Sequence, residues 1–263
     1  MNRQTEKKLD AFFGALAEAR AALLLLDYDG TLAAFRVDRF KSRPWAGVEE
    51  LLRRIHAQGR TRIAVVTGRP PEEVPAMLKL NPPVEVWGLH GALRLYPDGR
   101  REMEEQAPAV HEALETLRVK LHGDALGGLF EDKPNAAVMH WRGLGRRQAE
   151  AVKARAMELF APLTKLGLRL LDFDGGVELR AGRDKGGAVE QILRESETGA
   201  AVAYLGDDLT DEAAFRVVNG AQGPHLSVLV KRTVRATDAD VWMRPPGELR
   251  KFLARWAEAR SGG

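Results

Sequence analysis

Apolar residues along this chain follow two rhythms: short unbroken runs, and stripes at helical spacing. Residues 21–26 form an unbroken run, the pattern of a strand buried on both faces of a parallel sheet. Residues 62–66, 84–89, 201–205 and 227–230 are mainly apolar and read as further strands of this kind. Between these runs lie segments with helical period. Leu9, Phe12, Phe13 and Leu16 make one stripe within residues 6–20, and Val48, Leu51, Leu52 and Ile55 another within 45–58. Residues 185–194, 211–218 and 246–257 read as further helices. Alternating strand and helix predict an α/β fold with a doubly wound, Rossmann-like parallel sheet.

The rhythm changes in the middle of the chain. Residues 92–96 and 100–103 flank Pro97-Asp98-Gly99, a hairpin signal. A helix is predicted over 110–121, antiparallel strands over 127–131 and 136–141, a helix over 146–159, and a second hairpin pair over 168–172 and 176–180. This predicts an α+β cap at 92–181, inserted into a discontinuous core of residues 1–91 and 182–263. Ser261-Gly262-Gly263 reads as a frayed end.

Composition narrows the classes. With 263 residues, 44% hydrophobic and 29% charged, the chain can bury a sizeable core. No run of about 18 apolar residues is present, the first residues lack the apolar stretch of a secretory signal, and there is no cysteine. A cytoplasmic monomer without a membrane partner is expected. The net charge of +3 is spread among acids. It offers no concentrated basic face for nucleic acid and suits a small anionic substrate.

The candidate chemistry lies where the apolar runs stop. Asp27-Tyr28-Asp29-Gly30-Thr31-Leu32 follows the first run. Alternate residues of an extended segment point the same way, and ligands of open α/β sheets bind beyond the carboxyl ends of strands. Asp27 and Asp29 can therefore face one site. Thr67-Gly68-Arg69 ends the second run and can donate hydrogen bonds to a phosphoryl oxygen. Lys185 opens a predicted helix. Asp207, Asp208 and Asp211 follow the run at 201–205; three Asp in five residues suit a hard cation such as Mg²⁺, and helix capping by Asp208 or Thr210 can coexist with it.

The string D-x-D-G-T-L resembles the nucleophile motif of the haloacid-dehalogenase-like phosphohydrolases. The resemblance implies Asp27 as the nucleophile that takes up phosphorus, Asp29 as general acid and base, Thr67 as a phosphoryl donor with Arg69 as its helper, and Lys185 as the cation that steadies nucleophile and phosphoryl group. It implies a Mg²⁺ site drawn from Asp27, Asp29, Asp207, Asp208 and Asp211. In that site Asp207 ligates directly, Asp29 through its carbonyl, and Asp208 and Asp211 hold waters, Lys185 or the loop.

Four further segments resemble the bacterial trehalose-6-phosphate phosphatases: Gly206-Asp207-Asp208-Leu209-Thr210-Asp211-Glu212 with Phe215, Gly88-Leu89-His90-Gly91-Ala92, Glu131-Asp132-Lys133 followed by His140-Trp141-Arg142, and Val177-Glu178-Leu179-Arg180. Leu93 stands at or near the place of that family's usual acid. The resemblance implies that Glu131, Lys133, Arg142 and Glu178 bind sugar hydroxyls, that His90 and Gly91 face the substrate entrance, and that the cap closes over the substrate. Without the family, the same polar residues read as a salt-bridged sheet face. Phosphatases acting on sucrose phosphate or glucosylglycerol phosphate, a phosphomutase, and a non-catalytic sugar-phosphate sensor are the alternatives.

Overall fold

A computed structural model describes residues 3–36, 38–123, 126–173 and 175–261. Gly262 and Gly263 of the expected frayed end lie outside them. The strands are β1 (Ala22–Leu26), β2 (Arg62–Val66), β3 (Glu85–Gly88), β4 (Leu93–Leu95), β5 (Arg101–Met103), β6 (Phe130–Lys133), β7 (Ala136–His140), β8 (Arg169–Phe173), β9 (Gly176–Arg180), β10 (Ala201–Gly206), β11 (His225–Val230) and β12 (Val241–Met243). The helices are α1 (Arg3–Glu18), α2 (Val48–Ala57), α3 (Glu73–Leu78), α4 (Pro108–His122), α5 (Arg146–Phe160), α6 (Lys185–Arg194), α7 (Glu212–Asn219) and α8 (Gly247–Ala259).

The chain forms two compact units, residues Met1–Met103 with Arg183–Gly263, and Glu104–Gly182. Among the described residues the first unit holds an eight-stranded sheet in the order β12-β11-β10-β1-β2-β3-β4-β5. The six strands from β12 to β3 run parallel, and β4 and β5 are antiparallel additions at the edge. Strand β1 explains the apolar run that encodes it. Leu24 and Leu26 pack with α1, α2 and α8 on one face, while Leu23 and Leu25 pack with α6 and α7 on the other. The order of strands reverses beside β1, so a crevice opens between the carboxyl ends of β1 and β10.

The second unit is a four-stranded antiparallel sheet, β6-β7-β9-β8. Ala137, Met139, Val177 and Leu179 face Leu114, Leu117, Val152 and Phe160 of α4 and α5 in its own core. Glu131 pairs across the sheet with Val138, and Val138 with Glu178. Directly opposed residues share a face, so Glu131, Lys133, His140 and Glu178 lie on the face away from the two helices.

Three features differ from the sequence-based expectation. Residues 93–103 extend the large sheet instead of belonging to the insert. Arg94 of β4 pairs with Glu85 of β3 at 2.8 Å and with Glu195 after α6 at 2.7 Å, which anchors the hairpin to the larger unit. Residues 127–129 form a 3₁₀ turn before β6, because adjacent glycines offer no side chains for a sheet face. The short helix α3 and the three-residue β12 are too brief to leave a periodic signal.

Candidate active site

The acidic motif falls at the strand-order reversal. The amide of Asp27 donates to the carbonyl of Leu205 at 2.8 Å, continuing the β1–β10 ladder one step beyond β1. This register sets Asp27 beside the loop that starts at Asp207. Gly30 then turns the chain with φ of 86°, and a Cβ there would fall 2.2 Å from the Asp207 carboxyl carbon. No other residue satisfies both the backbone conformation and the close approach.

Lys185 is buried between two carboxylates. Its Nζ donates to Asp27 Oδ1 at 2.7 Å and Asp211 Oδ1 at 2.8 Å. Burial opposes its charge, but Asp211 and Asp27 outweigh that and raise its pKa. Asp184 caps α6 by accepting from the Gly187 amide at 3.0 Å, so Lys185 opens the helix and its N-terminal dipole adds positive potential. The other Asp27 oxygen, Oδ2, is buried and accepts no hydrogen bond. Burial, and then Asp211 and Asp207, push the Asp27 pKa well up against the pull of Lys185.

Asp211 is fully engaged. Besides Lys185 it accepts from the Tyr204 hydroxyl at 2.6 Å and from the amides of Asp207 and Asp208 at 2.9 and 3.0 Å. It shapes the loop that presents Asp207. Asp208 turns to its own helix start, accepting from the Thr210 amide and hydroxyl at 2.8 and 2.6 Å. Burial works against its ionisation, but Lys185 and the Thr210 bonds hold its pKa low. Asp207 has less support. Burial, with Asp208 and Asp211 adding repulsion, raises its pKa to about 7. Its oxygen Oδ2 meets the Lys231 ammonium at 3.4 Å.

On the neighbouring strand ends, Leu89 and His90 both adopt left-handed backbone, with φ of 51° and 60°, a strained pair for residues with side chains. Two bonds hold it: the His90 amide donates to the Thr67 carbonyl at 2.8 Å and the Leu89 amide to the Arg69 carbonyl at 2.9 Å. They bring the β3 turn onto the Thr67-Gly68-Arg69 turn. The imidazole of His90 lies so close to Gly68 that a Cβ there would sit 2.7 Å from Nε2. Arg69 grips Asp29 through two bonds of 2.5 and 2.7 Å and reaches Glu73 at 3.1 Å. Ser42 touches the same Asp29 at 3.3 Å.

Asp27, Asp29, Thr67, Arg69, His90, Lys185, Asp207 and Asp208 thus surround one cavity of about 320 Å³. Gly91 follows His90 in the same turn. Among the described residues, oxygens of Asp27, Asp207 and Asp211 lie within 4.8 Å of one another. The carboxylates of Asp29 and Asp208 stand outside that trio, bound to Arg69 and Thr210. The donor set fits a divalent cation such as Mg²⁺. It is all oxygen, Asp27 Oδ2 has no partner, and four clustered Asp face two ammonium groups. In the second unit, Lys133 reaches Glu178 at 3.5 Å and His140 bonds Glu131 at 2.8 Å. Arg142 packs at the end of the hairpin against Gly175.

Sequence reading missed Ser42, Glu73 and Lys231. Each is an ordinary polar residue in a loop or helix; packing brings Ser42 and Lys231 to Asp29 and Asp207, and Glu73 meets Arg69 four positions along the chain. Tyr204 had a signal, a hydroxyl three residues before the acidic loop.

A parallel sheet with an inserted α+β unit and paired Asp at the strand-order reversal defines the haloacid-dehalogenase-like hydrolase fold. A haloacid dehalogenase-like hydrolase from B. subtilis matches with a TM-score of 0.58 at 17% identity, covering 88% of this chain and 98% of that one. Trehalose-6-phosphate phosphatase of Aspergillus fumigatus matches with a TM-score of 0.72 at 20% identity, covering 95% and 97%. The profile of the trehalose-phosphatase family matches residues 25–241, and the chain belongs to that family. The trehalose-phosphate phosphatase of Mycolicibacterium paratuberculosis is 31% identical over 257 residues, 93% of this chain and 64% of the relative's length. The chain spans less than two thirds of that relative.

Proposed function

We propose that the chain is a Mg²⁺-dependent phosphomonoester hydrolase that converts trehalose 6-phosphate to trehalose and phosphate through an aspartyl-phosphate on Asp27. The supporting observation is Asp27 itself: Lys185 holds one of its oxygens, and the other is buried, without a hydrogen bond, beside a cavity lined by donors. The substrate is supported by family membership and by the polar sheet face bearing Glu131, Lys133 and Glu178, near Arg142.

Oδ2 of Asp27 attacks phosphorus, forming an O–P bond as the bond from phosphorus to the sugar oxygen breaks. Thr67 and Lys185 donate to the phosphoryl oxygens. Asp29 gives its proton to the departing sugar oxygen, then takes one from the water that attacks phosphorus and frees Asp27. Arg69 meets the phosphate as Asp29 leaves its grip. The cation would be held by Asp27, Asp207 and the Asp29 carbonyl, with Asp211 and Asp208 fixing the loop. When bound, it neutralises the carboxylates and polarises the phosphoryl group. Glu131, Lys133, Arg142 and Glu178 bond the disaccharide hydroxyls, and His90 and Gly91 border the entrance.

A panel of phosphate esters at equal concentration with Mg²⁺ tests this function. Trehalose 6-phosphate is expected to give the highest kcat/KM, with one phosphate released per trehalose. A preference for sucrose phosphate or glucosylglycerol phosphate removes the substrate assignment, and phosphate retained on a second sugar makes the chain a mutase.

A further inference from the structure

The loop after the nucleophile carries an aromatic ring that the chemistry of phosphate does not require. Among the described residues, eight large apolar side chains are exposed, and Phe35, at 71% exposure, is the one of them that lines the Asp27 cavity. The rest of the lining is polar or charged, with Gly68 the one residue without a side chain. A phosphoryl group is satisfied by donors and cations and gains nothing from an apolar wall. An apolar wall serves the leaving group.

The ring is placed there by its neighbours. The Gly30 amide donates to the Ala33 carbonyl at 2.8 Å, and Ala33 bridges to Pro44. Ser42, which touches Asp29, also donates to the Ala34 carbonyl at 3.3 Å. The backbone is therefore pinned up to the residue before Phe35, and the ring stands at the cavity mouth on a fixed base. A pyranose presents a face of C–H bonds carrying slight positive charge, which complements the negative face of an aromatic ring.

We propose that Phe35 is a specificity-determining side chain that stacks against the hexose ring bearing the phosphate. This role rests on the phosphatase reading of the site. Because the ring is exposed, replacing it leaves the core packing intact.

The test compares Phe35→Leu and Phe35→Trp with the unaltered protein, using trehalose 6-phosphate and methyl phosphate, which has no ring. Phe35→Leu is expected to lower the ratio of kcat/KM for trehalose 6-phosphate over methyl phosphate by about five- to tenfold. Phe35→Trp, which keeps an aromatic face, is expected to retain the ratio. Equal losses on both esters, an unchanged ratio in Phe35→Leu, or a Trp variant that behaves like Leu overturns the stacking role while leaving the phosphatase reading in place. An unaltered protein that hydrolyses neither ester overturns that reading, and the stacking role with it.

Discussion

At the scale of single residues, the buried Asp27 and the half-buried Asp207 set the behaviour of the site. Asp27→Asn keeps shape but removes the charge of the proposed nucleophile. It is expected to lower kcat by at least about a thousandfold while the circular dichroism spectrum stays unchanged. Near-normal turnover in that variant would place the nucleophile elsewhere. Asp207 has an ordinary pKa of 3.8 and is raised to about 7 in the fold by burial and by Asp208 and Asp211. A raised folded pKa means that this group's contribution to stability is whole below about 3.8. It is lost as pH rises through about 7. A divalent cation relieves the repulsion only once the proton has left. Saturating MgCl₂ should therefore raise Tm more at about pH 8 than at about pH 6, and Asp207→Asn should shrink that increment and flatten its pH dependence. A larger increment at the lower pH would contradict Asp207 as the ligand.

At the scale of elements, charge networks centred on buried groups hold the scaffold that positions these residues. Glu85 accepts from Trp87 Nε1 at 2.6 Å and from Arg62 at 2.8 and 3.0 Å. Glu195 accepts from Arg94 at 2.7 and 2.8 Å. The network ties β2, β3 and β4 to α6, the helix that begins with Lys185. Burial would raise the Glu195 pKa, but Arg94, Gln191 and Arg62 outweigh it and lower it to about 2 from 4.5. A depressed folded pKa gives stability that is complete above about pH 4.5 and disappears as pH falls through about 2. Acid unfolding followed by circular dichroism should be shallower between those limits in Glu195→Gln, which starts from a less stable protein. A second device joins the ends of the chain. The buried guanidinium of Arg260, at the end of α8, donates to the carbonyls of Leu16 and Ala19 at 3.0 and 2.6 Å, closing the last turn of α1, and to Arg60 at 2.8 Å. Arg260→Met removes the guanidinium's bonds to the Leu16, Ala19 and Arg60 carbonyls and is expected to cost about 2–4 kcal/mol, read as a lower urea midpoint at unchanged slope.

At the scale of the whole molecule, the proposed labour is divided between two units. The reactive acids belong to the discontinuous unit, and the polar sheet face belongs to Glu104–Gly182. Glu131→Ala should reduce kcat/KM for trehalose 6-phosphate by about tenfold more than for methyl phosphate, and parallel losses would take Glu131 out of sugar recognition. No helix among the described residues is long and apolar enough to cross a membrane.

Much of this was legible before any folding. The run of five residues that became β1 had to be a strand buried on both faces, and Asp27, Thr67 and Asp207 had to sit at strand ends, because periodicity and the end of an apolar run are local properties of a chain. Which carboxylates share a centre was not local. Asp29 and Asp208 look equivalent to Asp27 and Asp207 in sequence, yet one is drawn to Arg69, 40 positions away, and the other to its own helix start. Lys185 reaches Asp27 across 158 positions, and Lys231 reaches Asp207 only because β11 lies beside β10. The hairpin at residues 93–103 joined the large sheet because Arg94 found a buried acid on β3 and a second acid after α6. The sequence by itself determined the kinds of element and the chemical groups at their ends. The tertiary structure decided which of those groups meet, since partners are chosen by strand register and by the need of each buried charge for a neighbour, neither of which is written in any short stretch of the chain.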